Sequence, residues 1–65
     1  MNWVQIESNW KRMKGHFQQK WGELKDDDLE GGAGVRERLI AALQERYGMS
    51  ADEAEGAVDE FARSI

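Results

Sequence analysis

The chain has 65 residues, enough for one domain, with a formal net charge of −4 and a mean hydropathy of −0.80. It contains no cysteine and a single histidine, His16, which excludes disulfides, thiolate metal sites and a histidine-based zinc site. No apolar run approaches the roughly 20 residues of a membrane span, and the first residues lack the basic-then-apolar order of a secretory signal. We therefore expect one cytoplasmic domain, 1–65, stabilised by packing or by self-association.

The first predicted helix carries all three tryptophans. Apolar residues recur at steps of three and four, which predicts a helix over about residues 3–21 with one apolar side. Gly22 is predicted to end this helix in the left-handed conformation. Because each tryptophan can bury about 150–250 Å², we expect these side chains to form the centre of the core.

An acidic run and a glycine-rich segment follow. Asp26, the first of three consecutive aspartates, is predicted to cap a short helical turn near residues 26–30, because acids suit the positive end of a helix. Gly31-Gly32-Ala33-Gly34 then predicts a flexible bend, since glycine is a poor helix former.

Two further helices are predicted in the second half of the chain. Val35, Leu39, Leu43 and Tyr47 repeat every four residues, and Gly48 is predicted to end their helix. Ser50 and Glu53 form a capping box at the start of the last helix, whose apolar face includes Phe61. These patterns predict an all-α fold, a small bundle of about four helices arranged as two hairpins. The predicted structural core comprises Trp3, Trp10, Phe17, Trp21, Leu39, Leu43, Tyr47 and Phe61.

A calcium loop is the sharpest chemical candidate in the sequence. Asp26, Asp28, Glu30, Gly31 and Glu37 fall at positions one, three, five, six and twelve of an EF-hand-like pattern. Position five is Glu instead of Asp or Asn, and the preceding helix is predicted to stop before the loop begins. We therefore favour a helix-capping acidic run followed by a bend, and predict no metal site.

The sequence offers no constellation for catalysis or cofactor binding. The glycine-rich segment could cradle a phosphate, but it lacks the lysine and hydroxyl of a P-loop and follows no predicted strand. His16 has no serine or cysteine nucleophile near it in the sequence and is predicted to be solvated. We expect no catalytic residue, no cofactor and no small-molecule substrate.

Basic residues concentrate in the first part of the chain. Residues 1–25 hold five Lys or Arg against two Glu, whereas residues 26–65 hold four Arg against eleven acids. The first helix therefore resembles an interfacial membrane helix, but it equally resembles a core-facing helix with other helices to cover it, which we prefer. A nucleic-acid contact is the other alternative, with an exposed tryptophan stacking on a base. The residues of this possible contact are Lys11, Arg12, Lys14, Lys20 and Lys25.

Several short segments taken together resemble one family across essentially the whole chain. They include Asn9-Trp10-Lys11, Trp21-Gly22-Glu23-Leu24, Asp26-Asp27-Asp28-Leu29 and Gln44-Glu45-Arg46-Tyr47-Gly48. The combination is similar to the CsbD-like family of small bacterial stress-response proteins. That resemblance implies a compact fold of two roughly orthogonal helical hairpins, similar to SAM-domain and helix-hairpin-helix architectures. It implies no catalytic residues.

Two functional hypotheses follow. The first is a non-catalytic bacterial stress-response protein that acts by abundance or by contact with a protein partner or a second copy, which the high charge suits. The alternative is a nucleic-acid-binding helical module that uses the basic face of the first helix, whose affinity would fall steeply with salt.

Overall fold

The computed structural model describes residues 2–25, 29 and 34–65. Within these residues all regular elements are helical, which confirms the predicted all-α class. The four α-helices are α1 (Trp3–Ser8), α2 (Trp10–Lys20), α3 (Val35–Tyr47) and α4 (Ala51–Ser64). The predicted helical turn near residues 26–30, the Asp26 cap and the bend at 31–33 lie outside the described residues, apart from Leu29.

The first predicted helix is interrupted at Asn9, so the prediction of one continuous helix is wrong. Asn9 has φ −113° and ψ 30°, and its side-chain amide donates to the carbonyl oxygen of Gln5 at 2.9 Å. A side chain that bonds the backbone one turn earlier competes with regular helix geometry and bends the helix. Helical hydrogen bonding resumes directly after Asn9, because the Met13 amide donates to the Asn9 carbonyl at 2.9 Å.

The start of α1 carries a capping box that the sequence analysis missed. The Asn2 side chain accepts from the Gln5 amide at 2.9 Å, and the Gln5 side chain accepts from the Asn2 amide at 3.4 Å. Two amide donors at the helix start are thereby satisfied. The capping box fixes the position at which α1 begins.

The end of α2 differs from the prediction for Gly22. Positive φ occurs in the described residues only at Gly34 and Gly48, so Gly22 is not a left-handed cap. The helix ends instead at Trp21, whose backbone is extended with φ −124° and ψ 91°. A turn follows, in which the Leu24 amide donates to the Trp21 carbonyl at 3.1 Å. This hydrogen-bonded turn reverses the chain without a left-handed residue.

A short glycine-and-serine connection joins α3 to α4. Gly48 ends α3 with φ 66°, and its amide donates to the Gln44 carbonyl at 3.1 Å. The Ser50 hydroxyl accepts from the Glu53 amide, and the Glu53 carboxylate accepts from the Ser50 amide, both at 3.1 Å. These caps end one helix and start the next within a few residues, which makes α3 and α4 a hairpin.

Phe17 lies at the centre of an aromatic cluster and is fully buried. Its ring centroid lies 5.0 Å from that of Phe61, 5.5 Å from Trp10, 6.1 Å from Trp3 and 6.2 Å from Trp21. Trp10 and Trp21 are buried, whereas Trp3 and Phe61 are half-buried at the edge of the cluster. The cluster joins α1, α2 and α4.

The core continues between α3 and α4, where small and branched side chains are buried. Leu39 and Leu43 of α3 are fully buried, as are Ala54 and Val58 of α4. Leu29 is also buried, and its carbonyl accepts a hydrogen bond from the Trp10 indole. The buried indole therefore holds part of the connection between the two halves of the chain.

Tyr47 is not a core residue, contrary to the prediction. It is 39% exposed at the last position of α3, and its hydroxyl accepts from the Glu23 amide at 3.1 Å. Periodicity places Tyr47 on the stripe of Leu43, but the helix ends there. The side chain therefore contacts the turn after α2 instead of the core.

Candidate functional site

The best-defined polar cluster in the described residues centres on Arg36 of α3 and Asp59 of α4. The Arg36 guanidinium donates to both carboxylate oxygens of Asp59, at 2.8 Å and 2.9 Å. The Trp3 indole of α1 donates to the same carboxylate at 3.2 Å, and Glu55 lies 3.7 Å from the Arg36 guanidinium. This cluster ties three helices together through one carboxylate.

The electrostatics of this cluster favour the charged form of both partners. The hydrogen bond from Arg36 holds the pKa of Asp59 below its usual range, with a smaller contribution from the Trp3 indole. The hydrogen bond to Asp59 raises the pKa of Arg36. A carboxylate whose pKa is lowered by a guanidinium fits a structural contact, because general acid–base work needs a group poised near the working pH. The Arg36 side chain is 30% exposed and the Asp59 side chain is 41% exposed, so the pair is only partly shielded from water.

The predicted basic residues do not form one face. At about 100° per residue along a helix, Lys11 and Arg12 lie on the side of α2 away from the buried stripe. Lys14 and Lys20 lie beside the stripe, on opposite flanks. Lys14 is half-buried and the other three are exposed. Lys25 is exposed beyond the end of the helix. The structure therefore separates the residues that the sequence analysis grouped as a possible nucleic-acid contact.

Two open grooves run along the junction of α2 with the last turns of α4. Arg12 and His16 line one groove with Ser64 and Ile65, and Met13 is its buried floor. The second groove lies beside it and is lined by Lys20, Ala57, Glu60, Phe61 and Ser64. Both are shallow surface features, and His16 is exposed at the rim of the first.

The tryptophan rings pack in or against the core. Trp10 and Trp21 are 7% and 6% exposed, and the half-buried Trp3 donates its indole N–H to Asp59. Among the described residues, Val4 and Tyr47 are the large apolar side chains that are exposed. No tryptophan face is therefore presented in the way that base stacking requires.

The candidate calcium loop cannot be placed, because Asp26, Asp28, Glu30 and Gly31 lie outside the described residues. Its last member, Glu37, is exposed in the first turn of α3. Elsewhere in the described chain, no group of three or more His, Cys, Asp or Glu side chains is arranged to hold a metal ion. Gly34, the described end of the glycine-rich segment, takes a left-handed conformation with φ 86° directly before α3.

Spanning a bilayer requires a long apolar helix, and no helix in the part of the chain that the structure describes meets that requirement.

The sequence analysis missed Arg36 and Asp59, which are 23 residues apart in the chain. Each belongs to a helix rich in charge, and no local pattern marks which charges meet across the hairpin. It also assigned no role to Gly15 and Gly56, which occupy exposed positions inside the continuous helices α2 and α4. Their signal was available in the sequence as glycine inside a helical pattern.

Comparison with known proteins gives one consistent result. The profile of the family described as CsbD-like matches residues 4–61. A UPF0337 protein of Nitrosomonas europaea is 42% identical over 95% of this chain, which spans 66% of that relative. UPF0337 proteins of Rhodopseudomonas palustris and Pseudomonas aeruginosa are 46% and 44% identical, each over 94% of this chain and 92% and 94% of the relative. No solved structure is significantly similar to the chain.

Proposed function

This chain belongs to the CsbD-like family, and from that premise we propose that it is a non-catalytic bacterial stress-response protein, acting in the cytoplasm by abundance or by contact with a protein partner. One observation carries the proposal. In the described residues the large apolar side chains lie in the core or pack against it partly buried, except for Val4 and Tyr47, which are exposed. The remaining surface is charged, with an overall balance of −4.

A charged surface with scattered apolar residues supports action at high concentration. Net charge away from zero and the lack of a large apolar patch keep a small domain soluble. Val4 lies in α1 and Tyr47 at the end of α3, so each is an isolated exposed residue on its own helix. Contacts with a partner would then be mainly polar and reversible, as they are in transient interfaces.

The geometry of Asp59 supports a non-catalytic role. It is the one described carboxylate with a lowered pKa that also bridges helices, and Arg36 engages both of its oxygens. The grooves beside α2 are shallow and open to water, which gives little desolvation of an acid or base. The binding of a reacting group would need more enclosure than these surfaces provide.

Nucleic-acid binding is the rival function, and the exposure of Lys11, Arg12 and Lys20 is what favours it. Two observations weigh against it: only two of the five cations, Lys11 and Arg12, lie on the side of α2 away from the core, and the tryptophans pack in or against the core. Such a module would depend on phosphate contacts alone, with a strong salt dependence.

The proposal is tested by crosslinking the tagged protein in stressed bacterial cells and identifying what is recovered. We expect recovery of protein, in amounts unchanged by nuclease treatment, and a large rise in copy number under stress. A charge-reversed variant, Lys20→Glu, serves as a matched control for cation-dependent recovery. Near-stoichiometric nucleic acid that is lost in Lys20→Glu and at high salt would replace the proposal by its rival.

A further inference from the structure

Gly15 of α2 and Gly56 of α4 lie inside helices at exposed positions. A Cβ added at either position would meet nothing within 4 Å, and neither residue has a positive φ. Nothing in the described residues therefore requires glycine there, although glycine is a poor helix former. Because glycine has no side chain, another backbone can approach closely at such a position.

The surroundings of Gly56 are acidic on every side. Residues three and four positions away are surface neighbours on a helix. For Gly56 these neighbours are Asp52, Glu53, Asp59 and Glu60, all carboxylates. The carboxylates of Glu53 and Asp59 already accept hydrogen bonds within the chain. Asp52 and Glu60 are therefore the exposed carboxylates best placed to meet a partner.

The surroundings of Gly15 are the opposite. Its neighbours three and four positions earlier are Arg12 and Lys11, and those three and four positions later are the amides Gln18 and Gln19. Every charged residue of α2 is basic, whereas α4 carries five carboxylates and one arginine. The two helices therefore present exposed faces of opposite charge, each with a glycine at its centre.

We propose that this chain self-associates by packing the exposed face of α2 on one copy against the exposed face of α4 on a second copy, with Gly15 facing Gly56. The inference rests on the proposed function and names its partner. Facing glycines let two helix backbones approach closely, which brings Lys11 and Arg12 within reach of the carboxylates of the other copy. Like charges would repel α4 from a second α4, so the contact joins different faces.

Unless the copies close into a ring, a contact between two different faces leaves a free α2 and a free α4 at the ends of the assembly. Such an open assembly grows by adding copies as the protein concentration rises, whereas one self-complementary patch would stop at a dimer. It also weakens as salt screens the exposed charges. Both properties are measurable on the purified chain.

Sedimentation velocity of the full chain over a wide concentration range provides the first test. We expect the weight-average mass to rise with concentration at low salt and to return towards the monomer at high salt. The Gly15→Ala variant gives a sharper readout. Alanine should raise Tm by several degrees, because it favours the helix, and should weaken association at least about fivefold, because its methyl group separates the backbones.

A charge-exchange experiment identifies the two faces. The double variant Lys11→Glu/Arg12→Glu should stay monomeric alone and should associate when mixed with Asp52→Lys/Glu60→Lys. The control is Arg38→Glu, a single charge reversal at an exposed position of α3, which should leave association unchanged.

A monomer at every concentration in low salt would overturn the proposal. So would a Gly15→Ala variant with a raised Tm and unchanged association. Recovery of a different protein in the cellular crosslinking, together with a purified chain that stays monomeric, would leave the proposed function standing and refute self-association alone.

Discussion

Replacement of Phe17 by a smaller side chain tests how far the aromatic cluster supports the fold. Phe17 is fully buried and contacts Trp3, Trp10, Trp21 and Phe61. Truncation of a buried phenylalanine to alanine costs about 3–5 kcal/mol, including the cavity that remains. A domain of 65 residues has a free energy of unfolding of about 3–10 kcal/mol at 0.05–0.15 kcal/mol per residue. Phe17→Ala should therefore remove from about a third to all of the free energy of unfolding.

Phe17→Leu makes the same argument measurable. It retains a buried apolar side chain but removes the ring–ring interactions, each worth about 0.5–1.5 kcal/mol and not additive. We expect a loss of about 1–3 kcal/mol. Urea unfolding followed by tryptophan fluorescence gives this loss from the midpoint, provided that the slope is unchanged.

The matched control for both variants is Val4→Ala, since Val4 is 73% exposed and its truncation should change stability by less than about 0.5 kcal/mol. A Phe17→Leu variant as stable as Val4→Ala would refute the placement of Phe17 at the centre of the core.

Three further substitutions test the polar contacts and caps. Asp59→Asn should cost about 0.5–1 kcal/mol, since the pair with Arg36 is partly exposed. Because the folded state lowers the pKa of Asp59, this stabilisation is present above the unfolded pKa of about 3.9 and is lost as pH falls through the lower folded pKa. The free energy of unfolding, measured as the pH is lowered, should therefore fall less steeply in the variant. Ser50→Ala should cost about 0.5–2 kcal/mol in urea unfolding through loss of the capping box with Glu53, and no loss would show that the box is not formed. Gly48→Ala should cost about 1–2 kcal/mol, because φ is 66° there, and a Tm equal to that of the unchanged chain would contradict the left-handed cap.

Local chemistry made much of the fold predictable. Apolar repeats at helical spacing located the helical segments, and Gly48, Ser50 and Glu53 marked the connection between α3 and α4 because caps act through residues at most three positions apart. The same reasoning failed at Asn9. Its side chain can either face solvent or bond the Gln5 carbonyl, and the pattern of apolar residues is the same in both cases.

Contacts between distant segments were beyond sequence reasoning. The pairing of Arg36 with Asp59 depends on the register of α3 against α4, which periodicity does not specify. Tyr47 shows the related limit: its spacing matches Leu43, but only the end of α3 and the position of the Glu23 amide decide where the ring lies. Helical periodicity identifies a face, whereas the neighbouring elements determine whether that face is covered at its ends.

Because the stability margin is small, the chain is sensitive to the loss of Phe17, and the helix-destabilising effect of the two exposed glycines, Gly15 and Gly56, is also a sizeable fraction of it. The free energy of unfolding is about 3–10 kcal/mol. Gly15 and Gly56 together lower it by about 1–2 kcal/mol relative to alanine. The described structure contains no close contact or positive φ that would explain either residue. We attribute both residues to the proposed contact with a second copy, which requires that no side chain stand there. A double variant, Gly15→Ala/Gly56→Ala, should unfold at a higher temperature than the original sequence. It should nevertheless fail to substitute for the original protein in stressed cells, because the alanines stabilise the monomer but block the contact with a second copy. Full replacement by the more stable variant would show that the glycines serve no contact.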